Sequence, residues 1–470
     1  MKKVVWLISL AAIMVACKAG KPYQGVDLRM PEADKAEFGG TPHEEIINTK
    51  DIPHNGSAEL IWQDYFDDTM LDTLIKTALQ YNRNVMIASE RIIQARMALR
   101  VQNAELFPKV AAQASAERGN FLFNQIGQVN ELYIVGTGIN WEIDFWGRLR
   151  NLSDAARYQL LSSEVGLHSL QISLISDVAV TYFNWIQALE ELSIAQKNLA
   201  LRDSMHQIII QRFEKGIVQQ TDVDQSNILK AIAAGAVPKF YRKSVQLENT
   251  LSFLIGMNPM KFLKSASLED IEINVDIERY RPVDLVSNRP DIIAAEYQLM
   301  AQNAQVGAAK ARRLPAISLN GTLGIISDDF NSLSLDNPLW KIGGQLMGPI
   351  LFWGQLRRAV DIEQSREFQA LFAYENTVLN ALREVEDEKV SIRTLQQEIA
   401  IATERKNSAL SAQYLSGQRY SQGVTSYLEV LESQRQAFDA ELELVHLKQA
   451  LLSTYARFYK VIGGGPVKAK

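Results

Sequence analysis

One phrase occurs twice in this chain and constrains everything around it. Phe145-Trp146-Gly147-Arg148-Leu149-Arg150 returns as Phe352-Trp353-Gly354-Gln355-Leu356-Arg357, a step of 207 residues. The same step carries Pro108 to Pro315, Arg212 to Arg419, Gly216 to Gly423 and Val223 to Val430. A period of roughly 20–50 residues would indicate a solenoid. A period near half the chain indicates two copies of a whole module. The second copy restarts where Arg289-Pro290-Asp291-Ile292 matches Arg83-Asn84-Val85-Met86, at a step of 206.

Each copy places two alternating stretches before the phrase. After Pro108, Val110, Ala112, Ala114 and Ala116 share one face while Lys109, Gln113, Ser115 and Glu117 share the other, as side chains do along a strand. Beyond a polar turn, Tyr133, Val135, Thr137, Ile139, Trp141, Ile143 and Phe145 alternate with Gly136, Gly138, Asn140, Glu142 and Asp144. The second copy sets Ile317, Leu319, Leu323 and Ile325 against Ser318, Asn320 and Thr322. Its return strand sets Trp340, Ile342, Leu346, Ile350 and Phe352 against Lys341, Gly343 and Gln345. Hairpins are therefore expected over 109–145 and 316–352. Strands of about 10–12 residues suit a bilayer-spanning β-barrel, and an apolar face with aromatics near its ends, backed by a polar face, is the outer-membrane pattern. A soluble sheet with one buried face alternates in the same way.

The phrase then hands over to helix. From Leu149 to Glu214 there is one glycine and no proline, and from Gln355 to Ser416 there is neither. Sixty or more residues at 1.5 Å each make a rod of about 90–100 Å. The rods break at Lys215-Gly216-Ile217 and Gln422-Gly423-Val424, and second long helices return over roughly 221–255 and 426–462. Shorter helices are expected over 67–81 and 84–106. Rich in Gln, Glu, Arg and Ser, the rods read as coiled-coil walls with one face towards neighbouring helices and one towards water.

The N-terminus turns the reading towards a membrane. Lys2, Lys3 and an apolar run from Val4 to Val15 form a secretory leader over 1–16, too short to span a bilayer. Cys17, the only cysteine, follows Met14-Val15-Ala16 as in a bacterial lipobox. It is expected to carry acyl chains that anchor the mature protein, and it excludes an intramolecular disulfide. The 49 Lys and Arg against 54 Asp and Glu give a charge of −5, and losing Lys2 and Lys3 makes it −7, which argues against nucleic-acid binding. Residues 17–60, rich in Gly and Pro, read as an extended lipidated tether rather than a packed element. The first repeat follows over 61–257, a mixed linker region over 258–284, the second repeat over 285–462 and a disordered tail over 463–470.

Four strands cannot close a barrel, and lipid does not tolerate an open sheet edge. Subunits must share the barrel. Two would give eight strands packed shut, and three would give twelve around a passage, which the Gly-, Asn- and Gln-containing inner face favours. The expected fold is a mixed α/β membrane protein: long antiparallel coiled-coil helices plus a β-barrel of four strands per chain, completed by trimerisation.

Trp141-Glu142-Ile143-Asp144-Phe145-Trp146-Gly147-Arg148-Leu149-Arg150 resembles the first-repeat signature of TolC/OprM-type outer-membrane efflux lipoproteins, the NodT-like factors of resistance–nodulation–division pumps. Gly348-Pro349-Ile350-Leu351-Phe352-Trp353-Gly354 resembles its second-repeat counterpart, and Asn288-Arg289-Pro290-Asp291-Ile292 and Arg419-Tyr420-Ser421-Gln422-Gly423-Val424 are typical of the family. The likeness runs through the mature chain in order. It implies a homotrimer in the outer membrane of a Gram-negative bacterium, with a periplasmic α-barrel docked to a periplasmic adaptor and an inner-membrane pump. It implies a passive exit duct for drugs or other small toxic compounds.

No catalytic constellation is present, nor a cofactor motif beyond the lipid on Cys17. His43, His54, His168, His206 and His446 are scattered, and neither a phosphate-binding glycine loop nor a nucleophile elbow occurs. Leu428, Glu432 and Arg435 form one stripe just beyond the Gly423 break. The resemblance implies that they close the periplasmic end, with Glu where OprM-like members have Asp. Spacing alone equally describes a surface ion pair. Asp222 and Asp224 lie near the equivalent level of the first repeat. Gly216, Ile217, Gly423 and Val424 mark the hairpin tips where the resemblance places the adaptor, and Trp141, Trp146, Trp340 and Trp353 suit the membrane interface. Two other readings share these features: the outlet of a type I protein secretion system, and a lipid-tethered coiled-coil scaffold with soluble hairpins.

Overall fold

The computed structural model describes residues 19–31, 44–48, 62–119, 129–263, 266–271, 273, 275–279, 288–336 and 338–464. Cys17, the turn residues 120–128, much of the tether, residues 264–265, 272, 274 and 280–284 of the linker region and most of the tail lie outside them. Among the described residues are strands β1 (Asp27–Pro31), β2 (Glu44–Asn48), β3 (Lys109–Gly119), β4 (Asn130–Ile143), β5 (Ala316–Ser327) and β6 (Leu339–Met347). The helices are α1 (Trp62–Tyr65), α2 (Thr69–Tyr81), α3 (Arg83–Ala104), α4 (Arg148–Glu214), α5 (Gln220–Leu254), α6 (Pro290–Ala311), α7 (Gln355–Ser421) and α8 (Tyr427–Val461).

The duplication is exact in length. Helices α3 and α6 have 22 residues each, α4 and α7 have 67, and α5 and α8 have 35. Each pair starts 207 residues apart, including α3 and α6, so the 206-residue step at the restart is corrected. Asn82, not Arg83, is the counterpart of Arg289.

One compact unit comprises residues 1–26, 90–165 and 292–377. Its sheet is antiparallel in the order β3-β4-β5-β6, leaving β3 and β6 as edges. Lys109 pairs with Asn140 in the first hairpin, and Ala316 with Met347 in the second. These are the same pair carried one repeat along. The return strands end sooner than their alternation suggests, at Ile143 and Met347 rather than Phe145 and Phe352. In the second copy Pro349 has no N–H to give a ladder, and Gly348 lies against Pro315 so closely that a Cβ would meet its Cγ at 2.8 Å. In the first, Asp144 leaves the ladder to accept the backbone N–H groups of Leu149 and Arg150 at 2.9 Å each. That caps α4, whose first donors have no partner within the helix.

The tether is more structured than its composition suggests. The Ala19 N–H donates to the Trp146 carbonyl at 2.8 Å, the Asn151 amide donates back to the Ala19 carbonyl at 2.8 Å, and the Tyr23 hydroxyl reaches Glu296 at 3.2 Å. Farther on, β1 and β2 pair antiparallel, Asp27 opposite Asn48. Backbone groups that glycine and proline content marked as solvated find partners in the chain.

The second unit comprises residues 27–89, 166–291 and 378–470. Its core gathers Trp185, Tyr182, Phe183, Phe458, Tyr459, Leu71 and Ile75, all essentially inaccessible to water. The Tyr182 hydroxyl donates to Asp68 at 2.9 Å while Asp68 caps α2 through the Leu71 N–H. Leu268 and Ile271 of the linker region are buried in the same core, and Glu190 accepts from the Leu268 N–H at 3.0 Å. At the far end of the returning helices a second correspondence holds. The Asn82 amide donates to the Leu254 carbonyl at 2.8 Å, and the Arg289 guanidinium to the Val461 carbonyl at 3.1 Å.

Candidate functional site: the hairpin tips and the gate stripe

Both tips are built the same way. Gly216 and Gly423 have φ of 72° and 76°, in the left-handed region that favours glycine. The Ile217 N–H reaches the Arg212 carbonyl at 2.9 Å, and the Val424 N–H reaches the Arg419 carbonyl at 2.9 Å. These bonds close the helix ends in the pattern typical of a left-handed C-terminal cap. Ile217 and Val424 are left 65% and 63% exposed.

Beneath the tips, Ile209, Tyr420, Tyr427 and Val430 form a small buried cluster. The Arg212 guanidinium lies 4.4 Å from the Tyr420 ring centroid, and burial pushes the Tyr427 phenol up to about 12. One turn above, the buried Arg202 donates to Gln434 at 2.6 Å, and His206 Nδ1 meets the Ser226 hydroxyl at 2.7 Å.

Helix α8 has two faces here. Val430, Ser433, Gln434 and Ala437 are buried. The opposite stripe carries Leu428, 64% exposed, then Glu432 and Arg435. The Arg435 fork grips Glu432 at 2.6 and 3.1 Å and reaches Asp439 at 3.3 Å, while Gln436 donates to Glu432 at 2.8 Å. Hydrogen bonding from Arg435 holds the Glu432 carboxyl below the usual range, and Glu432 in turn raises the guanidinium. In the first repeat, Asp222 accepts the Gln219 N–H at 3.1 Å at the start of α5, and Asp224 accepts from the Gln220 amide at 3.0 Å. Both carboxylates are engaged on their own helix. No group of three His, Cys, Asp or Glu able to hold a metal occurs among the described residues.

The four tryptophans divide into two pairs. Trp141 donates to the Leu106 carbonyl at 2.9 Å and Trp146 to the Pro315 carbonyl at 2.8 Å. Trp340 and Trp353 stand 71% and 82% exposed. Periodicity missed Glu191, wholly buried, which accepts from Lys243 at 2.9 Å and from Gln187 at 2.9 Å and lies 2.6 Å from His446 Nε2. The available signal was the acidic pair Glu190-Glu191 set within the apolar run Trp185-Ile186, Ala188-Leu189 and Leu192.

Long paired helices, a four-stranded open-edged sheet and an exposed ion-paired stripe near the hairpin tips define a channel-forming outer-membrane protein built from two repeats. The sequence profile of the outer membrane efflux protein family matches residues 74–257 and 282–464, and the chain belongs to that family. It is 32% identical over 409 residues to the solvent efflux pump outer membrane protein SrpC of Pseudomonas putida, covering 86% of this chain and 87% of that one. It is 27% identical over 464 residues to the cation efflux system protein CusC of Escherichia coli K12, covering 97% and 98%. Among solved structures, the outer-membrane channel OprN superposes with a TM-score of 0.85 at 25% identity, covering 96% of this chain and 99% of that one. The protein is thus an outer-membrane exit duct of a Gram-negative efflux pump, a mixed helical and β-barrel channel whose barrel forms on trimerisation and whose helices extend into the periplasm. Family members are channel and transport proteins that work with adaptors and inner-membrane pumps.

Proposed function

We propose that the duct is closed at its periplasmic end by Leu428, Glu432 and Arg435 and opens when a periplasmic adaptor, carrying a resistance–nodulation–division pump, engages the tips at Gly216-Ile217 and Gly423-Val424. The Glu432–Arg435 pair carries this reading. It lies on the exposed face of α8, opposite the face that packs within the protomer, where three-fold symmetry brings three copies towards one axis. A ring of carboxylates there favours cations, and each guanidinium holds its carboxylate in a fixed orientation. Asp222 and Asp224 add negative charge from the first repeat. The cargo belongs to the chemistry for which relatives are named, organic solvents and antibiotics foremost, and no residue of the duct performs a reaction on it.

The same proposal places the acyl chains of Cys17 in the inner leaflet of the outer membrane. Ala19, two residues on, is bonded to Trp146 at the foot of β4, where strand gives way to helix. Planar-bilayer conductance tests the gate. The wild type is expected to conduct weakly and a Glu432→Ala/Arg435→Ala variant several-fold more. Equal conductance of the two would move the closure away from this stripe.

A further inference from the structure

The repeat also specifies a seam that a single chain cannot make. Inside the protomer, β4 of the first repeat pairs with β5 of the second. Carried one repeat along, the partners are β6 and β3, and both are edges. The duplication preserves pairing, as the Lys109–Asn140 and Ala316–Met347 pairs show. The β4–β5 register can therefore be transposed. Ile139 opposite Gly321 becomes Leu346 opposite Ala114, Gly138 opposite Thr322 becomes Gln345 opposite Ser115, and Thr137 opposite Leu323 becomes Gly344 opposite Ala116.

The faces agree independently. Leu346 and Ala114 both belong to the apolar alternation, and Gln345 and Ser115 both belong to the polar one. A slip of one residue would set every apolar side chain against a polar partner. Gly343 faces Glu117 in this register, where the protomer's own seam has Gly136 opposite Gly324, so one glycine still leaves room at that level.

The tryptophans point to the same pairing. Trp146 donates to the carbonyl of Pro315, the residue just before β5. Its counterpart Trp353 is 82% exposed and has φ of 48°, alone among described non-glycine residues in the left-handed region. A bulky side chain held there is strained. The counterpart of Pro315 is Pro108, just before β3.

We infer that β6 of one protomer pairs antiparallel with β3 of the next copy in the register setting Leu346 opposite Ala114, and that the Trp353 indole N–H then donates to the Pro108 carbonyl of that copy. The inference rests on the trimeric duct and adds its register and its anchor. Each copy supplies the tryptophan of one seam and the proline of another, so the ring closes with all indoles seated.

Cysteine pairs in the full-length chain, treated in isolated outer membranes with a short thiol-bridging reagent, test the register against single-cysteine controls. Leu346→Cys with Ala114→Cys is expected to yield covalent dimers and trimers. Leu346→Cys with Ala112→Cys or Ala116→Cys, displaced by two residues on the same face, is expected to yield several-fold less. Stronger linking at a displaced pair, in protein that remains trimeric in mild detergent, overturns the register and leaves the duct intact. Protein that is monomeric in mild detergent and links in no pair overturns the trimer and the seam together. Trp353→Phe keeps the ring and loses the N–H, so it should lower the temperature at which the trimer dissociates in detergent. An unchanged dissociation temperature overturns the indole contact.

Discussion

Arg289 donates to the carbonyl of Val461 at 3.1 Å and binds Asp291 and Glu384 at 2.6 and 2.9 Å, while itself nearly inaccessible to water. One side chain thus ties the start of α6, the middle of α7 and the end of α8. Its counterpart Asn82 ties only Leu254 among carbonyls, with its other end capping α3. Arg289→Ala should destabilise the protein by about 1.5–3 kcal/mol, the range for losing hydrogen bonds to charged groups, because Asp291 and Glu384 remain 37% and 29% accessible to water. Thermal unfolding followed by circular dichroism would show it, and Arg289→Lys should recover only part, since lysine lacks the planar fork.

Glu191 makes a parallel case on α4. Its buried carboxylate accepts from Lys243 on α5 and lies 2.6 Å from His446 on α8. Glu191→Ala is expected to cost about 1.5–3 kcal/mol through the lost hydrogen bonds to its carboxylate, since Lys243 and His446 are 41% and 55% accessible and keep contact with water. Glu191→Leu, which also lacks the charge, should not rescue it while Lys243 remains. A melting temperature within a degree or two of wild type for either would count against this cluster as a structural anchor.

The pH response of the gate has a definite sign. Arg435 holds the Glu432 carboxyl below its ordinary value of 4.5. A depressed carboxyl contributes its interaction above the ordinary value and loses it as pH falls through the depressed one. Conductance should therefore stay low from neutral pH down to about 4.5 and rise only in more acid solution. Glu432→Gln should show the raised conductance already at neutral pH.

The tips should separate docking from pore formation. Ile217→Asp and Val424→Asp place charge on exposed apolar positions that no helix of the described protomer covers. Each is expected to reduce drug or solvent tolerance of cells carrying the assembled pump, while the purified duct conducts as before. Loss of conductance itself would mean that the tips shape the pore rather than receive the adaptor.

Gly136 and Gly324 sit opposite each other across β4 and β5, and a Cβ on either would come within 2.7 or 2.6 Å of a backbone oxygen on the facing strand. Gly136→Val should therefore overpack the sheet at a cost of about 1–3 kcal/mol, read as a lower yield of heat-resistant trimer. Gly138→Val, two pairs along on the same face and with open space at its Cβ, serves as the permissive comparison.

The chain by itself determined the duplication, the two alternating hairpins, the long helices and their glycine breaks. Each of these is a local matter: periodicity and the special conformations of Gly and Pro are written residue by residue. The Glu432–Arg435 pair was legible for the same reason, since residues three apart on a helix are neighbours. Only the tertiary structure decided what happens between distant segments. Asp144 turned from a strand position into a helix cap, Trp146 gained a carbonyl partner in Pro315, and Glu191 turned from an anonymous helix residue into a buried three-way junction. Residues 19–26, which composition left as tether, were drawn onto Trp146, Asn151 and Glu296. Those roles depend on which backbone groups and charges lose water when the helices pack, and a buried polar group takes whatever partner the fold brings within about 3 Å. No spacing along the chain encodes that choice.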